Sequence, residues 1–410
     1  MGVRGAMNGW RISIAVGLVA AASACADAGA KPGDATSAST ASASNASASN
    51  ASADTDPASS ARARASSEAN GGSNAANGAN GANGANGANA TRGTNGGDAA
   101  RLAGPLAGAA ILRDAAFLAS AELHGRGSGT ADEARAGSWI ASELDGAHVD
   151  APLGRTVPFS HRGTKSQNIL GVIGPAPIAD ASSFSKQSEV VFLGAHYDHL
   201  GVVDGKTYPG AEDNASGAAL VLAVTRALMA RRSELTRPVV IAFFGAEEMG
   251  LYGSIELVKT WDFAAHPVTT MVNVDMIGRP LVDQPGLWLA ARALGVLPDL
   301  DPERAVGALV PDGQPAFVAR VRAAASAEGI RAVTIDDLPP SIQPTLVAQS
   351  KDRGDHAPFQ HKGIPFVFFS SSESSDYHQP TDTADKLDPD ILEARAKVVL
   401  RFVIESSRAK

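Results

Sequence analysis

Residues 189–199 read E-V-V-F-L-G-A-H-Y-D-H, and the fold is decided there. Val190, Val191, Phe192 and Leu193 form a short apolar run rich in β-formers, the pattern of a strand buried on both faces of a parallel sheet. His196 and Asp198 stand where that strand ends, and open α/β sheets bind ligands at the carboxyl ends of their strands. Three later stretches repeat the arrangement. Val239 to Phe244 runs into Glu247 and Glu248, and residues 271–274 run into Asp275. Residues 364–369 are followed, after a serine-rich loop, by Tyr377 and His378. Four apolar runs thus carry imidazoles and carboxylates to one edge of one expected sheet.

Outward from this stretch, strand and helix patterns alternate. Residues 114–123, 131–144, 218–232, 254–260, 316–328 and 391–405 have helical spacing, and 166–173 and 330–335 read as strands. The 218–232 helix is expected to end in a basic last turn, as its dipole prefers. Pro315 suits a first helical turn. Residues 281–350 carry the weakest pattern, and the pocket for a substrate's first side chain is expected to draw on them. The alternation predicts an α/β fold, a three-layer α/β/α sandwich with a mostly parallel central sheet.

Composition narrows the function. The chain has 410 residues, 43 acidic against 35 basic, and a formal net charge of −8. An acidic balance of this kind argues against nucleic acid as a partner. The single cysteine, Cys25, excludes an intramolecular disulfide framework and a thiolate metal cluster. A metal would have to be held by histidines and carboxylates.

Residues 1–25 read as a signal peptide: Arg4 and Arg11 precede an apolar run too short for the about 20 residues that span a bilayer. Ala22-Ser23-Ala24 offers the small residues that signal peptidase needs. Cys25 directly after them resembles a bacterial lipobox, with Ala22 where Leu is usual, so a lipid anchor at Cys25 is expected ahead of ordinary secretion. Residues 26–99, built from Ala, Ser, Asn and Gly with N-G-A four times over 77–88, read as a disordered linker. Residues 100–410 form the expected globular domain. The expected location is outside the cytoplasm, as a cell-envelope lipoprotein (periplasmic or outer-membrane attached) or a secreted protein. The oligomeric state is not fixed by the sequence.

Five candidate metal ligands emerge: His196, Asp213, Glu248, Asp275 and His378. Asp213 lies in G-A-E-D-N-A-S-G (210–217), a glycine-flanked turn that lets its carboxylate project. Two zinc ions balance three carboxylates and a bridging hydroxide, and zinc accepts this mix of nitrogen and oxygen donors. Neighbouring side chains at a strand end diverge, so with Glu248 on a metal, Glu247 is placed as the general base. Asp198 is placed to accept the second imidazole N–H of His196, and the Tyr377 hydroxyl to reach a developing oxyanion. His199, His356 and His361 read as ordinary structural histidines, with His356 also able to support the site from behind.

These motifs resemble the M28 family of zinc aminopeptidases. The match rests on G-A-H-Y-D-H-L-G (194–201), P-G-A-E-D-N-A-S-G (209–217), F-G-A-E-E-M-G-L (244–251), N-V-D-M-I-G-R (273–279), R-G-D-H-A-P-F (353–359) and D-Y-H-Q-P-T-D-T (376–383). It extends upstream through L-A-S-A-E-L-H-G-R-G-S-G-T (118–130). The resemblance implies a zinc-dependent exopeptidase fold, one zinc on His196 and Asp275, another on Glu248 and His378, and Asp213 bridging. It implies Glu247 as base, Tyr377 as oxyanion donor and Arg353 as a residue that holds the substrate's terminal groups. Residues 171–189 are too few for the protease-associated domain that some relatives insert there. The expected protein is an exported zinc aminopeptidase that cleaves the N-terminal bond of peptides with a metal-bound hydroxide. The alternatives are a glutaminyl cyclase or carboxypeptidase of the same fold, and a surface module that binds without turnover.

Overall fold

The computed structural model describes residues 104–184, 189–293, 295–311, 313–350 and 352–409. The signal-peptide and linker readings, Cys25 among them, lie outside those residues. Helices α1 (Gly108–Leu118) and α2 (Ala131–Gly146) open the domain. Helix α1 starts and stops earlier than the expected 114–123. The extended backbone of Ser120 (φ −68°, ψ 157°) separates it from a 3-10 turn over Ala121–Leu123, which the left-handed His124 ends. Strands β1 (Thr156–His161) and β2 (Thr164–Ile173) form a hairpin around Arg162-Gly163, both with positive φ. The sequence did not announce β1, an edge strand that contains Pro158 and never buries fully.

The rest of the chain alternates as expected. It runs through β3 (Val190–His196), a small hairpin of β4 (Gly201–Val203) and β5 (Lys206–Tyr208), α3 (Gly217–Ala230), β6 (Val239–Phe244) and α4 (Tyr252–Thr260). Next come β7 (Val268–Val274), α5 (Pro285–Ala293), β8 (Ala305–Leu309), α6 (Pro315–Ala327) and β9 (Arg331–Val333). The chain closes with α7 (Gln343–Ser350), β10 (Phe366–Ser370) and α8 (Pro389–Arg408). The basic last turn expected of α3 is not there. The helix stops at Ala230, and Arg231 and Arg232 pair beyond it with Glu234 and Asp150.

The eight-stranded sheet has the order β1-β2-β6-β3-β7-β10-β8-β9. Its centre, β6-β3-β7-β10, is parallel throughout, with β2 and β8 antiparallel at its borders. Alternate residues of each central strand enter different cores. Val191, Leu193 and Ala195 of β3 pack toward α1, α2, α3 and α8, while Val190 and Phe192 pack toward α4 and Trp261. Both faces are covered, which is why these strands read as continuous apolar runs. From β3 the chain moves to β6 on one side and then to β7 on the other. The reversal leaves a crevice at the carboxyl end of β3.

Candidate metal centre

All four expected strand ends meet at that crevice, and buried polar groups fix their loops. Arg126, fully buried, donates to the carbonyls of Leu118 (2.5 Å), Tyr197 (2.7 Å), Pro209 (2.7 Å) and Gly210 (2.9 Å). It ties the exit of β3 to the loop that carries Asp213. Burial lowers its pKa to about 10, with Asp198 and Asp213 opposing, so it stays charged at neutral pH. Gly210 has φ +59°, and a Cβ there would lie 2.3 Å from the Asp213 carbonyl and 2.4 Å from the His199 ring. No side chain fits. The Asp382 carboxylate accepts the N–H groups of Glu212 and Asp213. Asn214 donates to the Val274 carbonyl (3.0 Å) and accepts from Met276 N–H (3.2 Å), which locks the Asp213 loop to the Asp275 loop.

Asp198 does more than face His196. Its carboxylate accepts from Glu247 N–H (3.0 Å), Glu248 N–H (3.2 Å) and Ser128 Oγ (2.6 Å). The nearer partner of His196 Nδ1 is the backbone carbonyl of Asp198 at 3.3 Å, with the carboxylate oxygen at 3.8 Å. An ionised carboxylate gains more from two converging backbone N–H groups and a hydroxyl than from one distant imidazole. Asp198 therefore sets the glutamate turn, and its main chain orients His196. Strain accompanies this construction: Ala246, Met276 and His378 all have positive φ in the turns that present the ligands.

The donor atoms form two groups that share Asp213. In one, His196 Nε2 lies 3.4 Å from Asp213 Oδ1 and 3.3 Å from Asp275 Oδ1. In the other, His378 Nε2 lies 3.0 Å from Asp213 Oδ2 and 3.3 Å from Glu248 Oε2. His199, expected as a structural histidine, also places a ring nitrogen within 4.8 Å of this group's donor atoms. Glu247 belongs to neither. Tetrahedral zinc with bonds of about 2.0–2.2 Å sets its ligand atoms about 3.3–3.6 Å apart, close to these separations. Buried Glu248 Oε1, Asp275 Oδ1 and both His199 ring nitrogens have no hydrogen-bond partner. Buried acceptors left unpaired and converging from three carboxylates and three imidazoles fit divalent cations.

The electrostatics agree. Burial by itself would lower the His378 pKa, but Glu248 and Asp213 push it up to about 11. Burial would raise the Glu248 carboxyl, and His378 overcomes this, bringing it to about 2. His196 is likewise held well above its usual range: Glu247 and Asp275 outweigh its burial. Protonated imidazoles thus hold the positive charge that a cation would supply. Burial pushes the Glu247 carboxyl well above the usual range, with His196 opposing and Glu248 and Asp355 adding to the rise.

Other expected residues fall around this centre. The Tyr377 ring stacks on His378 at 3.9 Å, and burial raises its phenol, which keeps it a proton donor. Arg353 Nη1 pairs with Glu373 Oε1 at 2.8 Å. His356 does not reach the site by a hydrogen bond. It stacks on Phe366 and Phe368, and burial brings its pKa to about 3, so it is neutral. His361 pairs with Asp352 near the surface. The sequence reading missed His199, Arg126, Asn214 and Asp382. A second histidine three residues after His196, and an arginine between glycines at 125–127, were the available signals.

The model of peptidase family M28 matches residues 178–284 and 314–403. A probable zinc metalloprotease of Pyricularia oryzae is 33% identical over 146 residues, 34% of this chain and 28% of that protein. A probable leucine aminopeptidase of Arthroderma otae is 23% identical over 65% of each chain. Aminopeptidase YwaD of Bacillus subtilis is 27% identical over 59% of this chain and 45% of its own. The chain thus spans less than two thirds of these relatives' lengths. Among solved structures, the zinc aminopeptidase BSAP of Bacillus subtilis superposes with a TM-score of 0.53 at 18% identity, covering 75% of this chain and 97% of that one. The LapA aminopeptidase of Legionella pneumophila gives 0.54 at 19% identity, covering 73% and 72%. At these identities the structural likeness establishes the fold.

Proposed function

The chain belongs to peptidase family M28, and on that premise we propose that it is an exported zinc aminopeptidase acting on the N-terminal bond of peptides. One observation carries the reading: Asp213 turns one oxygen to each of two ligand groups, while Glu247, close enough to feel the charge of His196 in one and Glu248 in the other, belongs to neither. His196 and Asp275 would hold one zinc ion, Glu248 and His378 the other, and Asp213 would bridge. When bound, the pair supplies Lewis acidity and brings the pKa of water toward about 7.

The chain's own residues do the rest. Glu247, with its raised pKa, takes the proton of the attacking water and passes it to the leaving amine. Asp198 holds the Glu247–Glu248 turn by its two backbone N–H groups, so the base and the ligand keep their divergent directions. Tyr377, kept protonated, donates to the developing oxyanion. Arg353, steadied by Glu373, holds the terminal groups of the substrate.

Hydrolysis of aminoacyl-coumarin substrates, with and without phenanthroline, tests this together with elemental analysis. About two zinc ions per chain and chelator-sensitive release of the first residue are expected. Activity indifferent to phenanthroline in a zinc-free protein overturns the reading. One zinc with cyclisation of N-terminal glutamine indicates a cyclase, and cleavage at the carboxyl end a carboxypeptidase. Two zinc ions without turnover on any peptide indicate a binding module.

The domain organisation belongs to the same proposal: a signal peptide over 1–25, a linker over 26–99 and the peptidase domain over 100–410. The sequence around Cys25 supports lipidation there, with the linker as a tether. Radiolabelled palmitate should enter the wild type and not Cys25→Ser. Equal labelling of both, or none, indicates ordinary secretion.

A further inference from the structure

We propose that His199 is itself a metal ligand, so that the Glu248/His378 position has four protein ligands, the His196/Asp275 position three, and the first fills before the second. The inference rests on the two-zinc reading above. His199 is fully buried, and its Nδ1 lies 2.8 Å from Glu248 Oε1 and 3.8 Å from Asp213 Oδ2. An imidazole and a carboxylate in contact ordinarily share a hydrogen bond. Here neither ring nitrogen of His199 nor Glu248 Oε1 makes one. His199 and Glu248 instead belong to one group of donor residues with His378 and Asp213, whose ligand atoms all lie within 4.8 Å of one another.

The ring is placed there by construction. The His199 N–H donates to the Arg126 carbonyl at 3.1 Å, and Gly210 lies so close to the ring that a Cβ would collide with it. The His378 ring stands across from it at 5.6 Å and 71°, so two imidazoles approach from different directions. Packing under Gly210, with no hydrogen bond at Nε2, sets the orientation. With His199, Asp213, Glu248 and His378 the position offers zinc a complete tetrahedral set. The other position has one imidazole and two carboxylates, and leaves a place for water or substrate.

Zinc K-edge X-ray absorption on the full chain, titrated from the metal-free protein, decides the matter. At one equivalent we expect two imidazoles per zinc, and at two equivalents three imidazoles per pair of ions. His199→Gln should show one imidazole per zinc at both loadings. In chelator competition, its tighter site should weaken by more than the about 10–100-fold that loss of a merely orienting partner causes. One imidazole per zinc at both loadings of the wild type, unchanged in the variant, overturns the proposal. The wild-type count suffices even if the variant does not fold. Saturation at a single ion overturns the two-zinc reading separately, and the imidazole count at that ion still decides His199: two support it and one overturns it.

Discussion

Strands β3 and β6 bury every residue, β7 and β10 all but one each, and their apolar residues join two large continuous cores. Between residues 281 and 350 only one side packs into that core, through Val306, Ala308, Phe317, Val321 and Ala332, while the rest falls into small clusters: Leu281, Leu300, Ala305 and Val333; Ala291 and Val296; Ile342 and Leu346. The centre is specified locally, each strand by its own apolar run and each loop by the ligand it presents. Beyond the core packing of β8 and α6, the flank is also joined to the centre from far away in sequence. Arg395 of α8, fully buried, donates to the carbonyls of Ala305, Ile277 and Arg279 and to Ser371 Oγ. One side chain thus joins β8 to the loop that follows Asp275. Damage to the centre should therefore remove metal and chemistry, and damage to the flank should remove stability alone.

The largest effect is expected at Asp213. It is the one residue common to both ligand groups, so Asp213→Ala should lose the zinc ion at His196/Asp275, weaken the one at Glu248/His378 and abolish measurable turnover. A variant that retains a full zinc complement by elemental analysis would show that the two groups do not share this residue. Next comes Glu247→Gln, which keeps shape and ligands but removes the base. Zinc should remain stoichiometric, kcat should fall about 10²–10⁴-fold, and KM should change little because the loss falls on the transition state. Near wild-type kcat with full zinc would rule out the proton shuttle. A zinc-free protein would mean that the roles of Glu247 and Glu248 are reversed.

On the flank, Arg395→Met should lower unfolding stability by about 1–3 kcal/mol for each acceptor left unpaired, because three carbonyls and a hydroxyl lose a buried charged donor. Zinc content should stay as in the wild type. Denaturant unfolding read beside metal analysis makes the comparison. Loss of zinc in the still-folded variant would merge the flank with the centre.

A smaller effect follows from proton linkage at the centre. His378, pushed up to about 11, is protonated in the metal-free protein at neutral pH and must lose its proton to act as a ligand. Glu248, at about 2, is already ionised and contributes no proton. Apparent zinc affinity at the Glu248/His378 position should therefore rise about tenfold per pH unit across the neutral range. Calorimetric titration in buffers of different ionisation enthalpy should register the released proton. An affinity independent of pH would mean that His378 is neutral before metal arrives.

The same contrast explains what the sequence disclosed. The central strands were readable because burial on both faces demands uninterrupted apolar residues, and the ligands follow them within a few positions. Asp213 was readable through its glycine-flanked turn. The inward turn of the His199 ring was not, because nothing in its immediate neighbours says that Gly210 and Arg126, both distant in sequence, will pack against it. The backbone partners of the Asp198 carboxylate were hidden for the same reason, since Glu247 and Glu248 reach it through a left-handed Ala246 that no local rule predicts. In the flank, β8 escaped notice because it is five residues long and carries Gly307. That glycine is needed: a Cβ there would lie 2.7 Å from the Ser370 carbonyl of the neighbouring strand.

The smallest predicted effect tests whether the flank is as separate as this makes it. Thr334 follows β9 and closes a capping box with Asp337, whose carboxylate accepts the Thr334 N–H at 2.8 Å. Arg322 of α6 donates to both the Thr334 hydroxyl (2.9 Å) and Asp337 (3.0 Å), so the cap also fastens helix to strand. Thr334→Ala removes the hydroxyl but leaves the Arg322–Asp337 contact and the backbone half of the box. The cost should be about 1 kcal/mol, typical of a lost cap, and a thermal shift of a few degrees should report it. Zinc content and kcat should not move, because the cap shares no hydrogen bond with the ligand loops. A loss as large as that of Arg395→Met would mean that the cap, rather than the buried arginine, holds the flank together. A fall in kcat at unchanged stability would mean that strain in the flank is transmitted to the metal centre, and the division between the two regions would not stand.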